Sequence, residues 1–439
     1  MKYSVIIPAY NRSQQLMLTL AAFEKQTYPM DQFEVVVVND GSTDDTLEKL
    51  QQYQAPYRLA IVNLAQTSGR SAARNRGVAE ANGEYIIFCD PDFLVSPHFI
   101  HVHDSYHRQH PKAVVSGVPY LFMNAYTQLH PDFSEEEKMA MSGVLIPAGL
   151  WSEHFLHTNE RIEIVTREDI LNETDRLSKV IAPWEPVESH YAQFSTTDVA
   201  PWLMAITRNL SLSKQLFDRV GGFNETFQKH GLEDWELGYR LHRYGCAFIS
   251  MNEPVGYHQE HPSGHRTEDT QGENIRIMFK THGFEDPELS LFAVMSPSEG
   301  IEAYKNMLRI LQAWRKSKRA ALRYAAKRVR RACTRSARLF YKSPGSPEYE
   351  RFKTVLKEAF TAAHAIYTET QVAGKNHRIK AVLSQACRSL MPVTRKSVPR
   401  RSFARRSFAR KTFTRRSSTR RAVARKRKGL RTRKRLSRR

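Results

Sequence analysis

Cysteine is scarce in this sequence, with four residues in 439, at positions 89, 246, 333 and 387. No two stand at C-x-x-C spacing, so neither a zinc site nor a disulfide framework is encoded, and a reducing compartment is expected. No run reaches the roughly 18 consecutive apolar residues of a membrane-spanning helix. The first apolar run stops at Pro8, too early for a secretory leader, so the expectation is a cytoplasmic protein. A G-x-x-x-x-G-K-[ST] loop is also missing, which argues against a P-loop enzyme. Acidic residues are nearly absent from the last third. Residues 301–439 hold 5 acidic and 43 basic residues, whereas residues 1–300 hold 40 acidic and 24 basic. The net charges of −16 and +38 make up the +22 of the whole chain, so an acidic globule carries a basic appendage.

What is present is an alternation. Apolar, β-branched runs at 4–7, 33–38, 57–63 and 85–89 predict strands. Helical spacing at 13–26, 43–53 and 71–82 falls between them. Strands that apolar are buried on both faces, and their alternation with helices predicts a parallel α/β sheet whose ligands bind beyond the strands' carboxyl ends. Further on, 98–123 reads as a helix and then a strand, 214–220 and 234–244 as helices, and 247–251 as a strand. Between about 124 and 198 the pattern weakens and acidic residues accumulate, which suggests a lid or acceptor-binding region.

Two carboxylate pairs stand out. Asp90 and Asp92 follow the 85–89 run directly, and paired hard oxygen ligands at a strand end suit a divalent metal. Glu233 and Asp234 precede a helix and can offer a base to an incoming hydroxyl. Each has a plainer reading: a bare D-x-D arises often by chance, and Asp234 is well placed as a helix N-cap. Asp40, in Asn39-Asp40-Gly41-Ser42, is equally suited to a turn or to capping near Thr43. Arg70 reads as a solvated surface arginine, and Trp235 as core.

Six segments in order resemble family 2 glycosyltransferases of the GT-A fold. They are Ser4-Val5-Ile6-Ile7-Pro8-Ala9-Tyr10-Asn11, Val37-Val38-Asn39-Asp40-Gly41-Ser42-Thr43-Asp44, Ala73-Arg74-Asn75-Arg76-Gly77, Asp90-Pro91-Asp92, Gly221-Gly222-Phe223-Asn224-Glu225 and Gly231-Leu232-Glu233-Asp234. The resemblance covers about residues 2–262. It implies a Rossmann-like, mostly parallel sheet flanked by helices. It also implies that Pro8, Ala9, Tyr10 and Asp40 hold the nucleotide base, that Arg70 contacts the diphosphate or base, and that Asp90 touches ribose or metal. Asp92 would bind Mn²⁺ or Mg²⁺, with His258 as a further ligand and His261 as the second candidate. Asp234 would be the base of an inverting transfer, and Glu233 would orient the acceptor. The proline between the two aspartates departs from the commoner Ala, Ser or Asp but leaves both side chains in place. The implied activity is transfer from a nucleotide diphosphate sugar, UDP-linked by expectation, to a glycan or other hydroxyl acceptor, in surface polysaccharide synthesis.

The resemblance is silent on residues 300–439. The expected organisation is a catalytic domain over 1–300, a basic helical extension over 301–391 and a disordered tail over 392–439. Tyr304, Leu308, Leu311, Leu322, Ala325, Val329, Cys333 and Phe340 fall on one face of the extension. That face either lies on an anionic membrane, at the inner face of the cell, or packs on the catalytic domain. In the tail, basic pairs recur every five residues from 395/396 to 425/426, and residues 395–439 hold 22 basic residues and no acidic one. Such a segment cannot bury enough apolar surface to fold alone, and it suits a polyanion. The rival reading of the whole is a catalytically degenerate scaffold that binds polyanions or membranes through this tail.

Overall fold

The computed structural model describes residues 1–118, 123–182, 193–262, 270–372 and 376–391. The basic tail, and with it the expectation of disorder, lies outside the described residues.

The four apolar runs become β1 (Tyr3–Ala9), β2 (Phe33–Asp40), β3 (Arg58–Leu64) and β4 (Tyr85–Cys89), all parallel, with β1 between β2 and β4. Every residue of β1, β2 and β4 is buried, as continuous apolar strands under helices require. β3 is the sheet edge and half exposed. Later in the chain come β5 (Phe93–Val95), β6 (Val114–Ser116), β7 (Asn124–Ala125), β8 (Gln128–Leu129), β9 (Ile162–Glu163), β10 (Asn209–Ser213), β11 (Phe248–Ser250) and β12 (Gly256–Gln259). The main sheet runs β11-β6-β10-β4-β1-β2-β3, with β10 alone antiparallel to its neighbours. The fold is the expected mixed α/β one, GT-A-like, with a mostly parallel sheet between helices.

A second sheet, β5-β12-β7, stands beside the first. Its pairing brings His258 opposite Phe93, next to Asp92, although His258 and Phe93 are 165 positions apart in sequence. Over its described residues, the weakly patterned stretch from 124 folds mostly into pieces of two to five residues. Two of its helices, Glu135–Leu145 and Arg167–Leu171, start on capping boxes, Ser134 with Glu137 and Thr166 with Asp169.

Among the described residues, the extension is helical throughout its regular part, as a set of four helices. It forms Pro297–Lys316 and Ala320–Lys342, followed by Pro347–Thr370 and His377–Leu390. The apolar stripe lapses between Trp314 and Leu322, so nothing holds a straight continuation against the core. Arg323 caps the break by donating to the Ser317 and Lys318 carbonyls. Tyr304, Leu308, Leu311, Leu322, Ala325, Val329 and Cys333 belong to one buried cluster with Trp202, Trp235 and Leu237 from earlier in the chain. The apolar face is therefore covered by protein, which removes the membrane-inserted alternative for this helix pair. No helix among the described residues is long and apolar enough to cross a membrane.

Candidate active site

The carboxyl ends of the parallel strands carry the site. β4 ends at Cys89, and Asp90, Pro91 and Asp92 turn the chain into β5. Facing them is the N-terminus of the helix Glu233–Tyr244, entered through Gly231 (φ 99°) and Leu232 (φ 69°). Leu232 is the helix N-cap, so Asp234, one residue inside the helix, is not the cap that its sequence position suggested. A left-handed leucine is uncommon, and such strain gathers where the fold holds a functional group in place. Trp235 is core, as the plainer reading had it: its Nε1–H donates to the Leu203 carbonyl at 3.1 Å.

One arginine joins the two motifs. Arg74, 2% exposed, donates to Glu233 Oε1 at 3.0 Å, and its other terminal nitrogen lies 3.5 Å from Asp90 Oδ1. Burial disfavours an ionised Glu233, but Arg74 and then Arg70 outweigh it and hold that carboxyl below the ordinary range. Asp234 goes the other way. Burial, and next the charge of Glu233, push its carboxyl up to about 7. Two adjacent carboxylates thus divide into a permanent anion and a group poised to take a proton near neutrality. Removing one partner of a buried ion pair leaves an uncompensated charge, so Arg74→Met is expected to cost about 3–5 kcal/mol of stability. Chemical denaturation measures it, and a loss below about 1 kcal/mol, typical of an exposed pair, would refute the keystone role.

Asp92 sits with two histidines. His261 Nε2 lies 3.2 Å and His258 Nε2 3.8 Å from Asp92 Oδ2, and ligand atoms of all three residues fall within 4.8 Å of one another. The chain brings together both histidines between which the sequence left the choice. Burial opposes ionisation of Asp92, yet the neighbouring histidines and Arg208 keep its carboxyl well below the usual range. Its Oδ1 is buried with no hydrogen-bond partner. An ionised carboxylate with an unused inward oxygen, flanked by two imidazoles, is a donor set that fits a divalent cation.

The residues expected to meet a nucleotide lie at or just beyond the same carboxyl ends. Pro8 and Ala9 are buried within β1, and Tyr10, 48% exposed, emerges from its end. Asp40 is neither the local turn residue nor the cap near Thr43. It reaches across to the loop before the helix Arg70–Glu80. Its Oδ1 accepts from Ser68 N (2.7 Å) and Ser68 Oγ (2.8 Å), and its Oδ2 from Gly69 N (3.0 Å) and Thr67 Oγ1 (3.0 Å). Those four donors fill the carboxylate's lone-pair sites, and a base would reach it by displacing a hydroxyl, the part that rotates freely. Gly41 permits this approach, since a Cβ there would stand 2.5 Å from the Gln66 backbone at φ 69°. Arg70 opens the helix and is exposed.

Sequence reasoning missed two cations. Arg74 was quoted only as part of a motif, yet Ser71, Arg74 and Val78 are spaced as one helical face, and all three are buried. Arg208, just before β10, has its Nε 3.7 Å from Asp90 Oδ2, a contact between residues far apart in sequence.

The fold is α/β of the GT-A type, with carboxylates gathered past the carboxyl ends of its parallel strands. A sequence model described as glycosyl transferase family 2 matches residues 4–164, and one described as the N-terminal domain of galactosyltransferase matches residues 202–262. The uncharacterized glycosyltransferase YfnE of Bacillus subtilis (strain 168) is 30% identical over 284 residues, covering 63% of this chain and 70% of the relative. The validoxylamine A glucosyltransferase of Streptomyces hygroscopicus subsp. jinggangensis (strain 5008) is 31% identical over 275 residues, covering 60% of this chain and 56% of that one. Among solved structures, S. aureus TarS 1-349 in complex with UDP matches with a TM-score of 0.43 at 16% identity, covering 89% of this chain and 92% of that one. The chain belongs to glycosyl transferase family 2 and is a glycosyltransferase.

Proposed function

We propose that this enzyme transfers a sugar from a UDP-linked donor to a hydroxyl of a glycan or other acceptor, with inversion and with Mn²⁺ or Mg²⁺, in the making of a surface polysaccharide. The observation that carries the reading is the Arg74 bridge between the Asp-Pro-Asp turn and the Glu-Asp helix. It ties a donor-side carboxylate to the pair that holds the base. In this reading Tyr10, Asp40 and Arg70 receive the nucleotide, and Asp90 meets the ribose. Asp92, His258 and His261 would hold the cation, which when bound offsets charge on the departing diphosphate. Arg208, beside Asp90, adds a fixed positive charge on the same side. Asp234 Oδ takes the proton of the acceptor hydroxyl as that oxygen attacks the anomeric carbon. The bond from that carbon to the diphosphate oxygen breaks, and attack from the opposite side inverts the centre. Glu233, kept anionic by Arg74, orients the acceptor and raises the proton affinity of its neighbour.

The exposed Arg315, Lys316, Lys318, Arg319, Arg323, Lys327 and Arg331 suit an anionic partner by charge alone, because the opposite face is covered.

Thermal unfolding of the full chain tests the donor assignment. UDP and Mn²⁺ together are expected to stabilise it by about 2.7 kcal/mol at a hundredfold excess over Kd, and Mn²⁺ without nucleotide by far less. No shift with UDP, alongside a shift with GDP or ADP, would overturn the choice of uridine.

A further inference from the structure

Behind the site, the helix Pro297–Lys316 contributes a buried lysine that the reaction above does not use. Lys305 is 0% exposed, and its ammonium donates to the Thr196 carbonyl and to Thr196 Oγ1, each at 2.8 Å. One turn on, Arg309 forks onto Asp198, with Nε to Oδ2 at 2.7 Å and Nη2 to Oδ1 at 3.0 Å. It also donates to Gln193 Oε1 at 3.2 Å and Thr196 Oγ1 at 3.2 Å. Two side chains of one helix therefore fasten both ends of the segment 193–198.

That segment leads to the catalytic carboxylates. Phe194 stacks on Trp235, with ring centroids 6.3 Å apart and planes at 28°. Trp235 directly follows Asp234, and its backbone N–H donates to Asp234 Oδ1 at 2.8 Å. Trp235 also stacks on Phe292 (6.2 Å, 11°), and Phe292 on Tyr304 (5.8 Å, 24°), the residue beside Lys305. The support thus closes on itself from Lys305 through Thr196 and Phe194 to Trp235, and back through Phe292 to Tyr304. A buried ammonium held by uncharged acceptors is a poor source of stability, and an apolar side chain of that length fills the same space at lower desolvation cost. What the polar contacts add is direction, because they admit a single placement of Thr196 where a methionine would admit several.

We infer that Lys305 and Arg309 are positioning residues for the acceptor side of the catalytic centre, holding segment 193–198 against Trp235 and thereby fixing the carboxylate of Asp234. This rests on the assignment of Asp234 as the base. Burial, reinforced by the charge of Arg309, lowers Lys305 to about 7, in keeping with an ammonium whose nearest partners are neutral.

The full chain carries the test, as Lys305→Met and Arg309→Gln, with Arg309→Lys as the conservative variant and Asp234→Asn in parallel. Amide exchange is expected to quicken at least tenfold over 193–207 and to stay unchanged in β2. UDP–Mn²⁺ affinity is expected to stay within twofold of the parent. Turnover of whichever of UDP-glucose, UDP-galactose, UDP-GlcNAc or UDP-GalNAc the parent consumes is expected to fall at least tenfold, with Arg309→Lys recovering part of it. Unaltered exchange at 193–207 overturns the proposal, as does donor affinity that falls in step with turnover, which would mark a general structural role. Normal turnover in the clamp variants with an inactive Asp234→Asn sinks the clamp alone. An active Asp234→Asn sinks the base assignment on which it rests.

Discussion

Asp234→Asn is expected to abolish glycosyl transfer while leaving UDP–Mn²⁺ binding within a few fold of the parent. A positioned general base contributes about 10²–10⁴-fold, so turnover should drop by at least the lower figure. The amide keeps the size of the side chain and its contact with the Trp235 N–H, but it cannot accept the proton. The pH dependence gives a second signature. With the carboxyl pushed up to about 7 by burial and by Glu233, kcat/KM should rise with pH through that value and level off above it. Stability has the opposite sign. Between the ordinary aspartate range and about 7 the folded state keeps a proton that the unfolded chain has lost, so this group's contribution falls as pH rises. Asp234→Asn should therefore flatten the residual rate profile and be the more stable protein at pH 8. A variant that turns over normally, or a parent profile flat from pH 6 to 8, would refute the assignment.

Asp92→Ala is expected to remove the effect of Mn²⁺ on UDP binding. Asp92 is the only anionic member of the cluster with His258 and His261, and disturbing merely the groups behind metal ligands already costs about 10–100-fold in affinity. Calorimetric titration of UDP with and without Mn²⁺ reads this directly. In the parent the metal should tighten binding, and in the variant the two titrations should coincide. Metal-tightened binding that survives the substitution would place the cation elsewhere. His258→Ala and His261→Ala should each weaken the effect without eliminating it, because two ligands of the cluster remain in either case.

Much of this was legible in the sequence because long, fully buried parallel strands leave an unmistakable mark. The run at 85–89 became β4 with the same bounds, and 214–220 became a helix with the same bounds. Asp90 and Asp92 gained their meaning from standing just past such a strand, and Glu233 and Asp234 from standing at the start of a helix. Arg74 was less visible, since Arg74 and Arg76 look alike in Ala-Arg-Asn-Arg-Gly and only the helical phase with Ser71 and Val78 turns the first inward. The partners of Asp40 were not visible at all: they lie 27–29 residues away in a loop without periodicity. His261 falls beyond the end of β12, where alternation no longer says which way a side chain points. Much of the stretch 124–198 stayed opaque because its strands of two residues and helices of four or five span hardly more than one period of either pattern, and the longer helix Glu135–Leu145 buries only Met141 and Leu145.

The place where family likeness stops is not a seam in the physical object. Trp314, Leu308 and Val329 share one buried core with Trp202 and Trp235, so the helices from Pro297 onward form a wall of the room in which the helix Glu233–Tyr244 stands. Swapping that wall for the C-terminal region of another transferase would succeed only if the replacement reproduced its relief, bulge for hollow. A substitution on the inner side of the extension is therefore felt at Trp202 and Trp235 through shared packing, as any change of volume in a close-packed interior is.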